Sequence, residues 1–205
     1  KKNKPQKRPR PINPPPENNE LISLYIKEVV SFNKAHNIVG RSSEDEIIKE
    51  DIRDCETILE HIPKSQTILD IGSGAGLPGL VIAIHQPWNT VTMSEKNQKK
   101  AYFIKKTIRS LGLTNAHLID SAINPHQNTD KKFDIITARA LAKTHKIVEI
   151  SEHHLKTGGK YLLMKGVAEK INQEVVHLDN KKYSYTIHKK ELTNHNRHIL
   201  EINQK

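Results

Sequence analysis

Along residues 18–32, apolar side chains recur at Leu21, Leu24, Tyr25, Val29 and Phe32, which places them on one face of a helix. A polar loop over 33–41 follows and contains Gly40. A second helix is predicted from Ser43, with Glu46 three residues on as a capping-box pattern. Its apolar face is Ile48, Ile52, Cys55 and Leu59, and Pro63 ends it. Together these segments make an N-terminal helical cap over residues 17–63.

After the cap the period changes. Thr67–Ile71 reads as a buried strand, followed by a glycine loop and a helix reaching about His85. Thr90–Met93 is a strand, and Gln98–Leu111 is a helix stopped by Gly112. Ala116–Ile119, Phe133–Thr137 and Lys160–Met164 are further strands. A helix around Thr144–Leu155 separates the last two, with Gly158-Gly159 as the turn before the fifth strand. Ser184–Ile187 and Ile199–Ile202 flank a polar stretch and suggest an antiparallel hairpin. Alternation of strand and helix predicts a doubly wound, mostly parallel α/β sheet over residues 64–205, closed by that C-terminal hairpin.

Composition adjusts this picture at its edges. Of 205 residues, 35% are hydrophobic and 27% charged, a low apolar share that the aliphatic runs nevertheless concentrate into strands. No run approaches the roughly 20 apolar residues of a membrane span. The single cysteine, Cys55, leaves no internal disulfide and suits a reducing, cytoplasmic compartment. None of the twelve histidines has a His-x-x-x-His partner, and the adjacent His153 and His154 would point about 100° apart on a helix, so no metal site is expected. The formal net charge is +10, and residues 1–16 supply six of those charges with no acid and six prolines. That segment reads as an extended basic arm, either a non-specific phosphate binder or a linker.

The chemistry is concentrated in Asp70-Ile71-Gly72-Ser73-Gly74-Ala75-Gly76-Leu77-Pro78-Gly79, at the end of the first strand. Alternate glycines let the backbone turn sharply and a ligand approach closely, at the switch point where doubly wound sheets bind ligands. Gly74 to Gly79 also satisfies the Gly-x-Gly-x-x-Gly dinucleotide fingerprint, which keeps an NAD-dependent oxidoreductase in view. S-adenosylmethionine (SAM) fits better. Asp70 would orient the loop and attract a sulfonium or ammonium charge, whereas it would oppose a pyrophosphate. Pro78 also removes a phosphate donor. Glu95, just after the second strand, is placed for ribose hydroxyls in either case.

These residues resemble the RsmG (GidB) methyltransferases, and the likeness runs from Leu21 to Ile202. It is carried by Phe32-Asn33-Lys34-Ala35-His36-Asn37-Ile38, by the Leu-Pro-Gly ending of the glycine loop, and by Glu95 with Lys99, Lys100 and Phe103 after it. Phe133 to Ala140 with Arg139, Leu155 to Gly166 with Lys165, and the Arg197-His198 pair complete it. The resemblance implies a Rossmann-like, seven-stranded class I SAM-dependent methyltransferase. Its implied reaction is methylation of guanine N7 in 16S rRNA at guanine 527. Its partner would be small-subunit rRNA or the assembled 30S-type subunit, and the protein itself a monomer.

Cofactor contacts are expected from Asp70, Gly72, Ser73, Gly74, Gly76, Leu77, Glu95 and Arg139. After the third strand, Ser121 and Ala122 are candidates to read the adenine. Guanine N7 has an in-plane lone pair, unprotonated at neutral pH, so the reaction needs alignment and no general base. Arg139 and Lys165, at the carboxyl edge of the sheet, are the catalytic candidates. The competing readings are an ion pair with a neighbouring acid for Arg139 and a surface lysine for Lys165. Asn33, Asn37, Lys99, Lys100 and Arg197 are candidates for RNA contact, against loop or solvated-helix roles. The chain departs from the family pattern at Lys49 to Cys55, where Glu50 and Asp51 replace a basic pair, and such acids on an RNA-facing surface motivate an alternative, a weakly active or inactive ribosome-binding assembly factor.

Overall fold

The computed structural model describes residues 17–41, 43–125, 131–191 and 196–205, so the basic arm predicted over 1–16 lies outside the described residues. The cap consists of α1 (Asn18–His36) and a second helix, α2 (Glu44–Ile47), which runs through a π-helical stretch (Ile48–Ile52) into α3 (Arg53–Glu56). Ser43 caps α2 by accepting from the Glu46 amide at 3.2 Å. The buried face of α1 is Ile22, Tyr25, Ile26 and Val29, while Leu24 is exposed. Helical spacing allowed either assignment, and packing selected the stripe at i, i+3, i+4 and i+7. The helix also continues one turn past Phe32, ending where Asn37 adopts a left-handed φ of 46°.

The sheet contains β1 (Thr67–Ile71), β2 (Thr90–Ser94), β3 (Ala116–Ile119), β4 (Phe133–Arg139), β5 (Leu155–Lys165), β6 (Tyr183–Glu191) and β7 (Asn196–Gln204). Their order is β3-β2-β1-β4-β5-β7-β6, parallel except that β7 runs antiparallel to both β5 and β6. The strand order reverses between β1 and β4, so the carboxyl ends of these two strands border the crevice where this architecture binds ligands. Helices α4 (Gly79–His85), α5 (Gln98–Ser110), α6 (Thr144–Ser151) and α7 (Ala168–Val175) complete the layers.

Strand β5 starts five residues earlier than the sequence pattern indicated. Gly158 and Gly159 lie within it at a register shift against β4. A side chain at Gly159 would stand 2.8 Å from the Asp134 carbonyl oxygen, so this bulge admits no Cβ.

One core cluster runs without interruption from Ile22, Tyr25 and Ile52 of the cap into Leu80 and Ile82 of α4, Phe103 of α5 and Ile199 of β7. The second cluster covers the other face of the sheet, from Leu69 through Tyr161 to Ile202. The cap therefore forms part of the main core. Tyr25 makes its most specific link, because its fully buried hydroxyl donates to the Ala75 carbonyl in the glycine loop at 2.8 Å. Tyr25→Phe leaves that carbonyl without its partner, and the expected cost is about 1–2 kcal/mol, read as a lower urea midpoint at unchanged slope.

Candidate functional site

The glycine loop leaves β1 with three residues in left-handed conformation, Gly72, Gly74 and Gly76, at φ 68°, 60° and 92°. A Cβ on Gly76 would fall 2.3 Å from Leu80 Cδ1, and one on Gly72 2.6 Å from Leu141 Cδ1. Over Gly74 nothing lies within 4 Å, so this is the open side of the loop. The amides of Gly72 and Ser73 both donate to the Ser94 carbonyl, at 2.8 and 3.1 Å, which ties the loop to the end of β2.

Asp70 lies beneath this loop, fully buried, and its Oδ2 accepts from the Gly79 amide at 3.0 Å. A Cβ on Gly79 would stand 2.8 Å from that oxygen and 2.5 Å from Met93 Cγ, so glycine is required there for Asp70 to reach the backbone. Oδ1 of Asp70 is buried without a hydrogen-bond partner among the described residues. Burial pushes the Asp70 carboxyl up to about 6, against the Ser73 and Gly79 hydrogen bonds and the Arg139 charge that favour ionisation. Glu95 is also buried. It accepts from the Gly74 amide at 2.8 Å and the Asn97 amide at 2.7 Å, one on each oxygen. A carboxylate has about four lone-pair sites, so Glu95 keeps capacity for two further hydroxyls.

Two adjoining cavities open at this edge. One of about 320 Å³ is lined by the glycine loop, Lys100 and the 38–41 segment of the cap. The other, about 520 Å³, is lined by Lys143, Met164, Lys165 and Arg197 among others. Arg41, Asp51, Arg139 and Ala140 belong to both walls, so Arg139 stands at the boundary between the two. Its guanidinium donates to Asp51 at 2.6 Å and to Asp54 at 3.2 Å. Asp51 also lies 3.6 Å from Arg41 Nε, and Asp54 lies 3.4 Å from Arg197 Nε. Burial raises the pKa of the Asp54 carboxyl, and Arg139 and Arg197 pull it back only in part. The sequence reading placed Asp51 on an RNA-facing surface. It is 4% exposed and faces inward, as a counter-charge within the site.

A family model described as GidB, rRNA small subunit methyltransferase G, matches residues 18–201. The chain belongs to this family. Ribosomal RNA small subunit methyltransferase G of Psychrobacter cryohalolentis is 37% identical over 185 residues, covering 90% of this chain and 76% of that protein. The protein of the same name from Neisseria meningitidis serogroup B is 33% identical over 148 residues, 72% of this chain and 70% of its own. Among solved structures, a SAM-dependent methyltransferase from Aquifex aeolicus matches with a TM-score of 0.59 at 16% identity, covering 77% of this chain and 92% of its own. A putative methyltransferase from Streptococcus mutans, solved in complex with SAH, matches with a TM-score of 0.55 at 13% identity, covering 77% of this chain and 99% of its own. These structural likenesses establish the fold of the chain as that of class I SAM-dependent methyltransferases.

The residues present fit SAM. The open side of Gly74 accepts a closely approaching ligand, the Glu95 carboxylate has acceptor capacity left, and the buried Asp70 supplies negative charge beneath the loop. Of the residues singled out in the sequence, Gly72, Ser73, Gly74, Leu77, Lys100 and Arg139 line the smaller cavity, and Lys165 and Arg197 line the larger. Gly76 is buried behind the loop. Lys165 is engaged with Glu174 at 2.7 Å and with the Ala142 carbonyl at 3.1 Å. Asn33 clamps the 38–41 segment, donating to the Arg41 carbonyl at 2.9 Å and accepting from the Val39 amide at 3.0 Å. Asn37 is the exposed left-handed residue after α1. Ser121 and Ala122 are exposed, and the Ser121 carbonyl accepts from Ser94 Oγ at 2.8 Å.

On α5, Lys99 is exposed and Lys106 pairs with Glu28 at 2.5 Å. Phe103, which follows Lys99 and Lys100 in the resemblance, is fully buried. Sequence reasoning overlooked Arg41, Asp54 and Tyr25 as site residues. Asp54 carried a usable signal, since a helix face otherwise made of Ile52, Cys55 and Ile58 needs a cation opposite any acid it contains.

Because the folded Asp70 holds its proton to higher pH than the unfolded chain does, its contribution to stability declines as pH rises from about 4 to about 6 and is flat above. Asp70→Asn keeps an acceptor for Gly79 and removes this titration. Between pH 5 and pH 8, urea unfolding is expected to shift by about 1.4 kcal/mol in favour of the variant relative to wild type. In the same variant, calorimetry is expected to record at least tenfold weaker SAM binding.

Proposed function

We propose that the chain transfers the SAM methyl group to N7 of one guanine in small-subunit rRNA, with guanine 527 of 16S rRNA as the target. The observation that carries this reading is the position of Arg139 between the cavity over the glycine loop and the basic cavity beyond it. A cofactor held by the loop and a base held in the larger cavity would meet there.

When bound, SAM supplies an electrophilic methyl on a cationic sulfur, which the N7 lone pair of guanine can attack directly. The protein's part is alignment and electrostatics. Gly72 to Leu77 and Glu95 hold the cofactor side, and Asp70 fixes the loop through Gly79. Arg139 presents the exposed part of its guanidinium to the base or to a flanking phosphate. Asp51 and Asp54 balance its charge, so that a methylated, cationic guanine is not opposed by a bare cation. Lys143, Arg197 and Lys100 supply positive charge on the cavity walls for the RNA backbone. Lys165, paired with Glu174, acts as a positioning residue that ties α7 to the loop after β4. The protein works in the compartment that holds the small subunit, as a monomer.

Two measurements test this reading. Labelled SAM incubated with small ribosomal subunits lacking the modification is expected to leave one 7-methylguanine, mapped by mass to a single nucleotide. No transfer by the folded, SAM-binding protein would favour a ribosome-binding assembly factor. Arg139→Lys keeps the charge but lacks the planar fork that reaches Asp51 and Asp54 together. It is expected to lower kcat at least 30-fold with SAM affinity changed less than threefold, read by single-turnover kinetics and calorimetry.

A further inference from the structure

Three side chains from distant parts of the chain converge where the end of the cap meets the C-terminal hairpin. His61 ends a 3-10 turn (Leu59–His61) that follows α3, His188 stands on β6 and Glu201 on β7. In the antiparallel register His188 lies opposite Ile199 and Thr186 opposite Glu201, which makes His188 and Glu201 diagonal neighbours on one face of the hairpin. One ligand-capable atom from each of the three residues lies within 4.8 Å of the other two. The imidazole rings stand 4.3 Å apart between centroids, and His188 Nε2 is 3.1 Å from Glu201 Oε2.

The surroundings orient these groups as ligands. Oε1 of Glu201 accepts from Lys160 Nζ at 3.4 Å and from Asn203 Nδ2 at 3.3 Å, which fixes the carboxylate and leaves Oε2 turned to the histidines. Nε2 of His61 is buried and has no hydrogen-bond partner among the described residues. Glu60 Oε1 lies 3.8 Å from the same nitrogen, beyond hydrogen-bond reach. Of the cations close by, Lys190 is paired with Glu60 and Lys160 with Glu201 itself.

We propose that His61, His188 and Glu201 form a binding site for a borderline divalent metal, Zn²⁺ foremost, with water as the fourth ligand. Two imidazoles and one carboxylate are a zinc donor set, whereas Ca²⁺ and Mg²⁺ require oxygen ligands throughout. Ligand atoms of a tetrahedral zinc ion stand roughly 3.3 Å apart, so binding would draw the three side chains together from the present spacing. The bound ion would cross-link the end of the helix that carries Asp51 and Asp54 to the C-terminal hairpin that carries Arg197. The neighbouring lysines temper the affinity, and the site is a structural one, separate from the methyl-transfer cavities.

The test uses the full chain, stripped of metal with a chelator. Titration with Zn²⁺ alone, followed by calorimetry, is expected to give one equivalent bound with a micromolar Kd and a raised thermal midpoint. Co²⁺ in its place is expected to give the intense visible absorption of a tetrahedral ion. His61→Gln, His188→Gln and Glu201→Gln should each weaken Zn²⁺ binding at least tenfold and abolish the midpoint shift, while His153→Gln, at an exposed histidine elsewhere, changes neither. X-ray absorption of the Zn²⁺-loaded wild type should count two imidazole ligands, a readout independent of how well the variants fold. Failure of the wild type to bind, undiminished binding in the His61 and His188 variants, or a spectrum without two imidazoles would overturn the proposal.

Discussion

A guanidinium held at the edge of a buried sheet needs carboxylates beside it, and the satisfaction of Arg139 organises much of this molecule. Its partners, Asp51 and Asp54, come from the second cap helix, so that helix must lie across the carboxyl end of β4. The helix passes through a π-helical stretch at Ile48–Ile52, a geometry that often marks functional sites, and both acids point inward from it. The same acids reach Arg41, on the segment that Asn33 clamps, and Arg197, on the hairpin. Removing one partner of a buried ion pair costs more than the pair contributes, because a charge is left stranded. Four separate elements are thus committed to one geometry by a small set of charges.

The glycine loop is built on a complementary principle, in which space is reserved by the absence of side chains. Gly79 lets the Asp70 carboxylate reach the backbone, Gly72 gives room to Leu141, and Gly76 gives room to Leu80. Only at Gly74 does the missing Cβ leave open space for a ligand. The two acids that sequence reasoning assigned to ligand contact, Asp70 and Glu95, both work first on the loop's own amides. They preorganise the binding surface, so little conformational entropy remains to be lost when a ligand arrives.

Much of this was legible in the residue pattern, and the departures have identifiable physical causes. The strands of the parallel sheet came through as short apolar runs between glycines and polar turns, because strands buried on both faces leave that signature. Helix α7 did not, since only Ile171 and Val175 of its eight residues are buried, too sparse a stripe to register as a period. On α1 the apolar residues are numerous enough to define two stripes, and only contact with α4 and α5 selects Ile22 and Ile26 over Leu24. Asp51 looked like a surface acid because its partner, Arg139, lies 88 residues away in sequence. The His61, His188 and Glu201 group was invisible to a search for ligands at helical spacing for the same reason.

The charge balance of the site connects these observations to its chemistry. RNA phosphates favour a basic cavity, yet a base that becomes cationic on methylation is destabilised by unpaired positive charge nearby. In the proposed reaction these two demands fall at separate places. Lys100, Lys143 and Arg197 line the cavity walls, while at the junction of the two cavities Arg139 is flanked by two carboxylates. Relative to a basic pair at Glu50 and Asp51, the acids on the cap helix reduce the net attraction for RNA. Asp51 and Asp54 hold the Arg139 guanidinium at the boundary of the two cavities in one orientation, with its charge compensated. Asp51, which looked like a loss of RNA-binding surface, instead compensates the Arg139 charge from within the cavity wall.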